Sequence, residues 1–408
     1  MPAFKRRLPI LVAVCISVMI QAAAIVLFLN DAVGFDSNEY LGISHSLHRS
    51  GEYSAPEALN GFDSFSGESP TRMRQPLFPL LLVLTYWLPG GNILPTLLLQ
   101  VFLLSMSLVL IYKTALMVLG EKFKPWSILF PALYFPWLLL SSKLLSEALF
   151  TFLLWAAVFS MTKFVRSREK RHLILAGILL GLLILTKSIG LAVLLLSLVT
   201  FAVLKGLKRG LVYWLGMSSC AFTVLLPWGV RNYVQMGVPT FLPSNSGYNL
   251  WVASRAPNAS WWTDSEEFIQ ATDDWDHYYI DQTADQNFRE IAISNFRTQG
   301  FPTIVRRAGY RLFTGFSRFP GTGSIAGMNI KFMVLTVMQS GMLLLAFAFL
   351  VRLRSKEAWF LFILPMIALS AALPVSKGLT RYLLPALPAI ALLAGQSVLD
   401  ILARLRRR

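Results

Sequence analysis

The 408-residue chain is 55% hydrophobic and only 14% charged, where a soluble domain of ordinary composition keeps about a quarter of its residues charged. Ionised groups are costly in hydrocarbon, so this composition excludes an ordinary soluble globule and places the chain in a membrane. The formal net charge of +16 would suggest nucleic acid in a soluble protein, but here the cations fall in runs between apolar stretches: Lys5 to Arg7, Lys122 with Lys124, Lys163 to Arg171, Lys205 to Arg209, Arg352 to Lys356 and Arg404 to Arg408. Such runs are the positive-inside signal and favour anionic head groups, so a nucleic-acid partner is set aside.

The basic start is followed by an apolar run over 8–29, long enough to span roughly 30 Å of hydrocarbon at about 1.5 Å per residue. It outlasts a cleavable signal core and reads as a retained signal anchor. Further apolar segments follow at about 76–89, 94–118, 125–141, 145–163, 173–186, 189–204, 211–230, 330–351, 357–375 and 382–401. Cys15 and Cys220 lie inside such segments as small apolar residues, with no disulfide framework or metal spacing. Two polar stretches, 30–75 and 231–329, hold most of the acidic residues, whereas the basic runs lie elsewhere. The two membrane faces are therefore chemically distinct.

Both termini are basic and belong on one side, which requires an even number of crossings. The apolar runs number eleven, and the weakest is 76–89, short and carrying Pro76, Pro79 and Pro89. The expected fold is therefore an all-α polytopic bundle of about 10 transmembrane helices plus one short re-entrant or interfacial helix, with a small outward-facing ectodomain. Fusing 172–204 into a single crossing also restores parity, but strands the run Lys163 to Arg171 on the wrong side. The domain reading is an N-terminal module 1–230 that includes the outer loop 30–75, an ectodomain 231–329, and C-terminal helices 330–408. Trp251, Trp261, Trp262, Trp275, Tyr278 and Tyr279 give the ectodomain too much aromatic content for disorder. These rings suit an aromatic belt at the bilayer surface or, less often, sugar faces.

Candidate chemistry collects at the outer helix ends. Asp36, Glu39 and Tyr40 share one helical face by their spacing. The plain alternative is a capping box, with Asp36 as N-cap and Glu39 three residues on. Arg72 and Arg74 precede the suspect short helix, and guanidinium groups there suit a phosphate, against a reading as interfacial anchors. Glu147 opens a crossing, either as a first-turn acid favoured by the helix dipole or as a second acid beside Asp36. Lys187 sits in an outward hairpin, Arg231 and Asn232 close a crossing, and Arg381 with Tyr382 opens the last one. In this topology Asp36, Arg74, Glu147, Lys187, Arg231 and Arg381 lie at one depth, which points to a single site.

Six pieces in order carry a resemblance: Asp36-x-x-Glu39-Tyr40, Arg74-Gln75-Pro76, Ser146-Glu147-x-Leu149-Phe150, Leu185-Thr186-Lys187, Pro227-Trp228-x-x-Arg231-Asn232 and Arg381-Tyr382-x-x-Pro385-x-x-Pro388. The chain resembles bacterial membrane glycosyltransferases of the GT-C fold (family 39 type), similar to the protein O-mannosyltransferases and the lipid A aminoarabinose transferases. The resemblance implies inverting transfer of a hexosyl or pentosyl group from a polyprenyl-phosphate sugar donor to an envelope glycolipid, glycan or protein acceptor. It implies a multi-pass protein of the bacterial cytoplasmic membrane with its site facing the periplasm or exterior. Asp36 is the implied base, with Glu39 and Glu147 as further catalytic acids. Tyr40, Arg72, Arg74, Lys187, Arg231, Asn232, Arg381 and Tyr382 would bind substrate. No cofactor is firmly implied, and a divalent cation is left open. Two departures stand out: Ser37-Asn38 separate Asp36 from Glu39 where the family often has an adjacent Asp-Glu pair, and Glu147 stands where relatives often carry Asp. A lipid-linked-sugar flippase or small-molecule transporter is the competing class, though transporters put ionisable groups near the midplane and show paired halves. A non-catalytic assembly or anchoring protein is a third.

Overall fold

The computed structural model describes residues 3–54, 70–255, 282–317, 329–374 and 380–406. Among them every regular element is helical, and the only strand-like pairing is a single bridge between Ser54 and Pro70. The order is α1 (Ala3–Phe28), α2 (Phe35–Ser50), α3 (Leu77–Leu82, continued by a π turn Val83–Trp87), α4 (Leu94–Leu119), a broken segment over 125–142, α5 (Glu147–Ser167), α6 (Lys170–Thr186), α7 (Gly190–Lys205) and α8 (Leu207–Met236). There follow α9 (Ser246–Ser254), α10 (Gln282–Gln299), α11 (Phe301–Ser317), α12 (Asn329–Leu353), α13 (Lys356–Ala358, Trp359–Ile363 and Leu364–Ser370 in one run) and α14 (Leu387–Leu405).

Six stretches are long and apolar enough to cross a membrane: Arg7–Asp31, Leu94–Lys122, Glu147–Ser167, Leu207–Met236, Thr336–Leu353 and Leu387–Leu405. Side-chain bonds at the helix ends identify the remaining traverses. At one end of the bundle Lys143 Nζ donates to the Asp31 carbonyl (2.6 Å) and Lys187 pairs with Glu147 (2.6 Å). At the other end Arg166 pairs with Glu357 (2.6 Å), Lys205 Nζ donates to the Val165 carbonyl (2.9 Å), and Lys124 pairs with Asp400. The broken segment, α6, α7 and α13 each therefore run from one end to the other, and with the six long spans they make ten crossings among the described residues. Residues 172–204 form a hairpin turned at Lys187, not one fused crossing. The bonds place α3 differently. It leaves Arg74 at the site end and finishes with Trp87 against Ser44 of α2 (2.8 Å), also at that end, so it does not span.

The third crossing is irregular for a reason visible in its sequence. Pro125, Pro131 and Pro136 remove backbone donors and divide 125–142 into four short helical pieces, two of them 3₁₀ turns. A 3₁₀ turn rises about 2.0 Å per residue, which helps a short segment reach across. Irregular backbone at membrane depth survives only inside protein, and two glutamines serve it here. Gln100 donates to the carbonyls of Ser141 (3.3 Å) and Lys143 (2.8 Å), while Gln396 of α14 exchanges bonds with the Lys124 main chain (3.0 and 3.1 Å).

Outside the bundle, α9 and α10 pack through Tyr248, Trp251 and Phe288. Asp285 of α10 accepts from the backbone N–H of Gly247 (2.6 Å) at the start of α9. Trp251 is thus a core residue, whereas Trp261, Trp262, Trp275, Tyr278 and Tyr279 lie outside the described residues. Helix α8 runs on to Met236, past the 230/231 boundary drawn from the sequence.

Helices α6 and α8 approach closely through Gly177 and Gly181, a small-xxx-small pair. A Cβ on Gly177 would lie 2.4 Å from the Met217 carbonyl oxygen, and one on Gly181 2.8 Å from that of Ala221. These are backbone contacts that no rotamer change relieves. Gly177→Leu and Gly181→Leu should each lower the thermal midpoint of the detergent-solubilised protein by an amount corresponding to about 1–3 kcal/mol. Gly216→Leu, where a Cβ meets only a side-chain atom at 3.8 Å, should change it little.

Candidate active site

Five elements converge at one end of the bundle. Helix α2 contributes Asp36, Glu39 and Tyr40; the chain before α3 contributes Arg74; α5 opens with Glu147; the α6–α7 turn contributes Lys187; and a 3₁₀ turn, Thr380–Tyr382, contributes Arg381 and Tyr382. The start of α2 differs from a capping box built on Asp36. Gly34 is the N-cap, and Ser37 Oγ accepts from its backbone N–H (3.1 Å). Neither Asp36 nor Glu39 takes the capping positions, and both carboxylates bind other partners.

Those partners form a chain of alternating sign. Glu39 binds Arg74. Arg74 Nη2 donates to Asp36 Oδ1 (2.9 Å). The other Asp36 oxygen accepts from Arg381, whose Nε lies 3.8 Å from Glu147 Oε1. Glu147 Oε1 also accepts from Lys187 Nζ (2.6 Å). Three acids and three bases thus neutralise one another in order. Tyr40 donates to or accepts from Ser146 Oγ (3.1 Å), turns its ring beneath Arg74 (5.2 Å) and meets the edge of Phe78. Tyr382 lies under Lys187 at 6.0 Å. Arg74 and Lys187 are mostly buried and Glu147 is 2% exposed.

Burial alone would raise Asp36, but the guanidinium groups of Arg74 and Arg381, with Lys187 beyond, hold its carboxyl well below the usual carboxylate range. Burial pushes Tyr40 up to about 12, so its phenol stays protonated near neutrality. Both Asp36 oxygens are engaged by guanidinium groups, and among the described residues no group of three His, Cys, Asp or Glu side chains converges. This arrangement does not fit a divalent cation held by these carboxylates.

Arg72, Arg231 and Asn232 are placed beside this network. Arg231 donates to the carbonyls of Thr71 (2.6 Å) and Tyr53 and stacks on the rings of Tyr53 (5.4 Å) and Trp228 (5.0 Å). Tyr53 in turn donates its hydroxyl to the Arg74 carbonyl (3.0 Å). Asn232 donates to the carbonyl of Thr240 (2.7 Å), and Arg72 to that of Leu242 (3.0 Å). Gln75 donates to the carbonyl of Phe241 (2.9 Å). These side chains fasten 71–75 to the chain leaving α8. Tyr53 was not among the residues the sequence singled out, and Gln75 entered only as part of the piece Arg74-Gln75-Pro76, with no role assigned to it. Tyr53 acts across 178 residues of chain, a pairing that no local pattern carries.

No family model and no curated protein matches the chain. Solved structures do. The oligosaccharyltransferase of Archaeoglobus fulgidus, tethered to an acceptor peptide, superposes with a TM-score of 0.53 at 14% identity over 99% of this chain and 50% of that one. The same organism's oligosaccharyltransferase AglB, in complex with an inhibitory peptide and a dolichol-phosphate, gives 0.51 at 14% identity over 98% and 51%. ArnT from Cupriavidus metallidurans, bound to undecaprenyl phosphate, aligns at 0.41 and 16% identity over 95% and 77%, and adds nothing to the fold assignment. This chain has the GT-C fold. It spans about half the length of the archaeal chains it matches.

Breaking a buried ion pair from one side leaves an uncompensated charge, at a cost of about 3–5 kcal/mol. Lys187→Met should therefore lower the thermal midpoint more than the double variant Lys187→Met/Glu147→Gln, which removes both charges. The depressed Asp36 adds a pH dependence. A carboxylate whose folded pKa lies below its ordinary 3.8 stabilises the fold fully above that value and loses this contribution progressively as pH falls from there toward the depressed folded value. The stability difference between wild type and Asp36→Asn should accordingly be constant from pH 7 to about 5 and shrink as denaturation is measured toward pH 3.

Proposed function

We propose that this chain is a membrane glycosyltransferase that moves a sugar from a polyprenyl-phosphate donor to an extracytoplasmic acceptor: a glycolipid, a polysaccharide or a protein. The observation that carries the reading is the alternating charge network at one end of a GT-C bundle, where head-group-level substrates arrive. A GT-C neighbour in complex with an inhibitory peptide and a dolichol-phosphate supports a lipid-phosphate donor. The position of the network at helix ends, away from the middle of the bundle, favours a transferase over a flippase or transporter. By its basic runs, the network faces away from the cytoplasm, in a bacterial inner membrane.

The reaction is an inverting displacement. The acceptor hydroxyl oxygen bonds to the anomeric carbon, the carbon–oxygen bond to phosphate breaks, and polyprenyl phosphate leaves with that electron pair. The hydroxyl proton passes to a carboxylate, Asp36 in the first place and Glu39 as its neighbour on Arg74. In the resting network Asp36 is a weak base because two guanidinium groups hold it. A donor phosphate competing for Arg74, Arg381 and Lys187 loosens that hold and makes Asp36 more basic as the donor binds. The same cations then stabilise charge growing on the departing phosphate.

Purified protein in liposomes, assayed with polyprenyl-phosphate sugars, tests this. Asp36→Asn should lower transfer by about 10²–10⁴-fold, the ordinary worth of a general base, without loss of folding. Unchanged turnover would remove Asp36 as the base and shift attention to Glu39→Gln. Arg381→Ala should weaken donor binding, and an unaltered donor affinity would remove its phosphate role.

A further inference from the structure

Helix α11 carries an apolar face that the rest of the described residues cover only in part. Its last turns are seated at the site end of the bundle. Leu312 and Phe316 pack against the main core, Gly315 abuts Leu373, and Gln339 of α12 donates to the Phe316 carbonyl (2.8 Å). Phe301 and Val305 lie on the same face, since 301, 305, 312 and 316 follow helical i, i+4, i+11, i+15 spacing. Yet Phe301 is 77% exposed and Val305 51%. The face that docks at the C-terminal end thus overhangs the bundle at the N-terminal end, at the level where the spans stop. Phe313, 70% exposed, flanks it.

The opposite side of α11 is committed elsewhere. Arg307 donates to the Ser254 carbonyl (2.6 Å) and Arg311 to those of Val252 (3.0 Å) and Arg255 (2.9 Å), at the end of α9. Residues 301–317 contain three arginines and no acid, and Arg306 is exposed beside the apolar row. Where α11 meets α12, the flanking Val337 and Met338 begin that helix's own exposed apolar surface. The overhang therefore continues a lipid-facing surface and carries the charge that anionic head groups complement.

We propose that α11 is an interfacial helix whose Phe301, Val305 and Phe313 enter the head-group and upper acyl region of the bilayer. It holds α9 and α10 beside the charge network at a fixed height. The occupant of the face is lipid.

The test uses the full chain in nanodiscs of phosphatidylethanolamine and phosphatidylglycerol, with Cys15 and Cys220 changed to Ala. Phe301→Cys, Val305→Cys and Phe313→Cys are labelled one at a time with a small fluorophore. Quenching by lipids with nitroxide at acyl carbon 5 should exceed that by carbon 14 and by aqueous iodide. Leu344→Cys, mid-span in α12 and exposed, should favour carbon 14, and Glu290→Cys on α10 should respond to iodide alone. Iodide quenching at Phe301 and Val305 like that at Glu290 would place the face in water and overturn the proposal. Protection from both quenchers would mean that protein covers it, a partner or a second copy, and would overturn the proposal equally.

Discussion

Desolvation governs this structure. Six ionised side chains from five separate elements are brought out of water at one end of an apolar bundle, and each would be costly there alone. Arranged as Glu39, Arg74, Asp36, Arg381, Glu147 and Lys187, every inner member has an opposite charge on both sides. The order matters more than the number. Removing an inner member exposes two neighbours to an unbalanced field, and removing an end member exposes one. The network therefore ties correct assembly to the place for chemistry: α2, the chain before α3, α5, the α6–α7 turn and the 380–382 turn each bring a charge that another of them balances.

Around it lies a layer of side chains whose work is geometric. Arg231 fixes the carbonyls on both arms of the chain at Tyr53 and Thr71, and Tyr53 passes that constraint to the Arg74 backbone. Arg72, Gln75 and Asn232 then bind residues 240–242 alongside. A guanidinium with five donors suits such stapling of carbonyls as well as it suits a phosphate. Residue type therefore did not distinguish the two uses, and the structure assigns the donors of Arg231 named here to main chain.

What was legible in the sequence follows the same physics. Basic runs and apolar lengths were enough to reach ten crossings and to single out 76–89, because lipid imposes length and sign rules on every segment independently. The hairpin at Lys187 was legible for the same reason: a single fused crossing would have carried the run ending at Arg171 across. The gathering of Asp36, Arg74, Glu147, Lys187 and Arg381 at one end followed from topology alone. Their alternating order did not, since it depends on how α2 is turned about its axis. The helix starts with Gly34 and Ser37 in the capping positions, where the pattern Asp-x-x-Glu had suggested a cap two residues later. The broken third crossing was read as an ordinary span because its apolar length says nothing of its backbone bonds.

That third crossing has a consequence for how the protein is made. Its prolines leave polar main chain at the end of the bundle away from the charge network, and the bonds that Gln396 makes there, accepting from the Lys124 N–H and donating to the Lys124 carbonyl and the Ser127 hydroxyl, come from 272 and 269 residues further along. A segment inserted early in synthesis thus waits for the last helix before its backbone is fully matched. The first and last parts of the chain are in this sense one unit of biogenesis, although the long polar stretch lies between them. A chain that stopped before Leu387 would lack one crossing and leave another, made far earlier, without the partner that lets it rest in lipid.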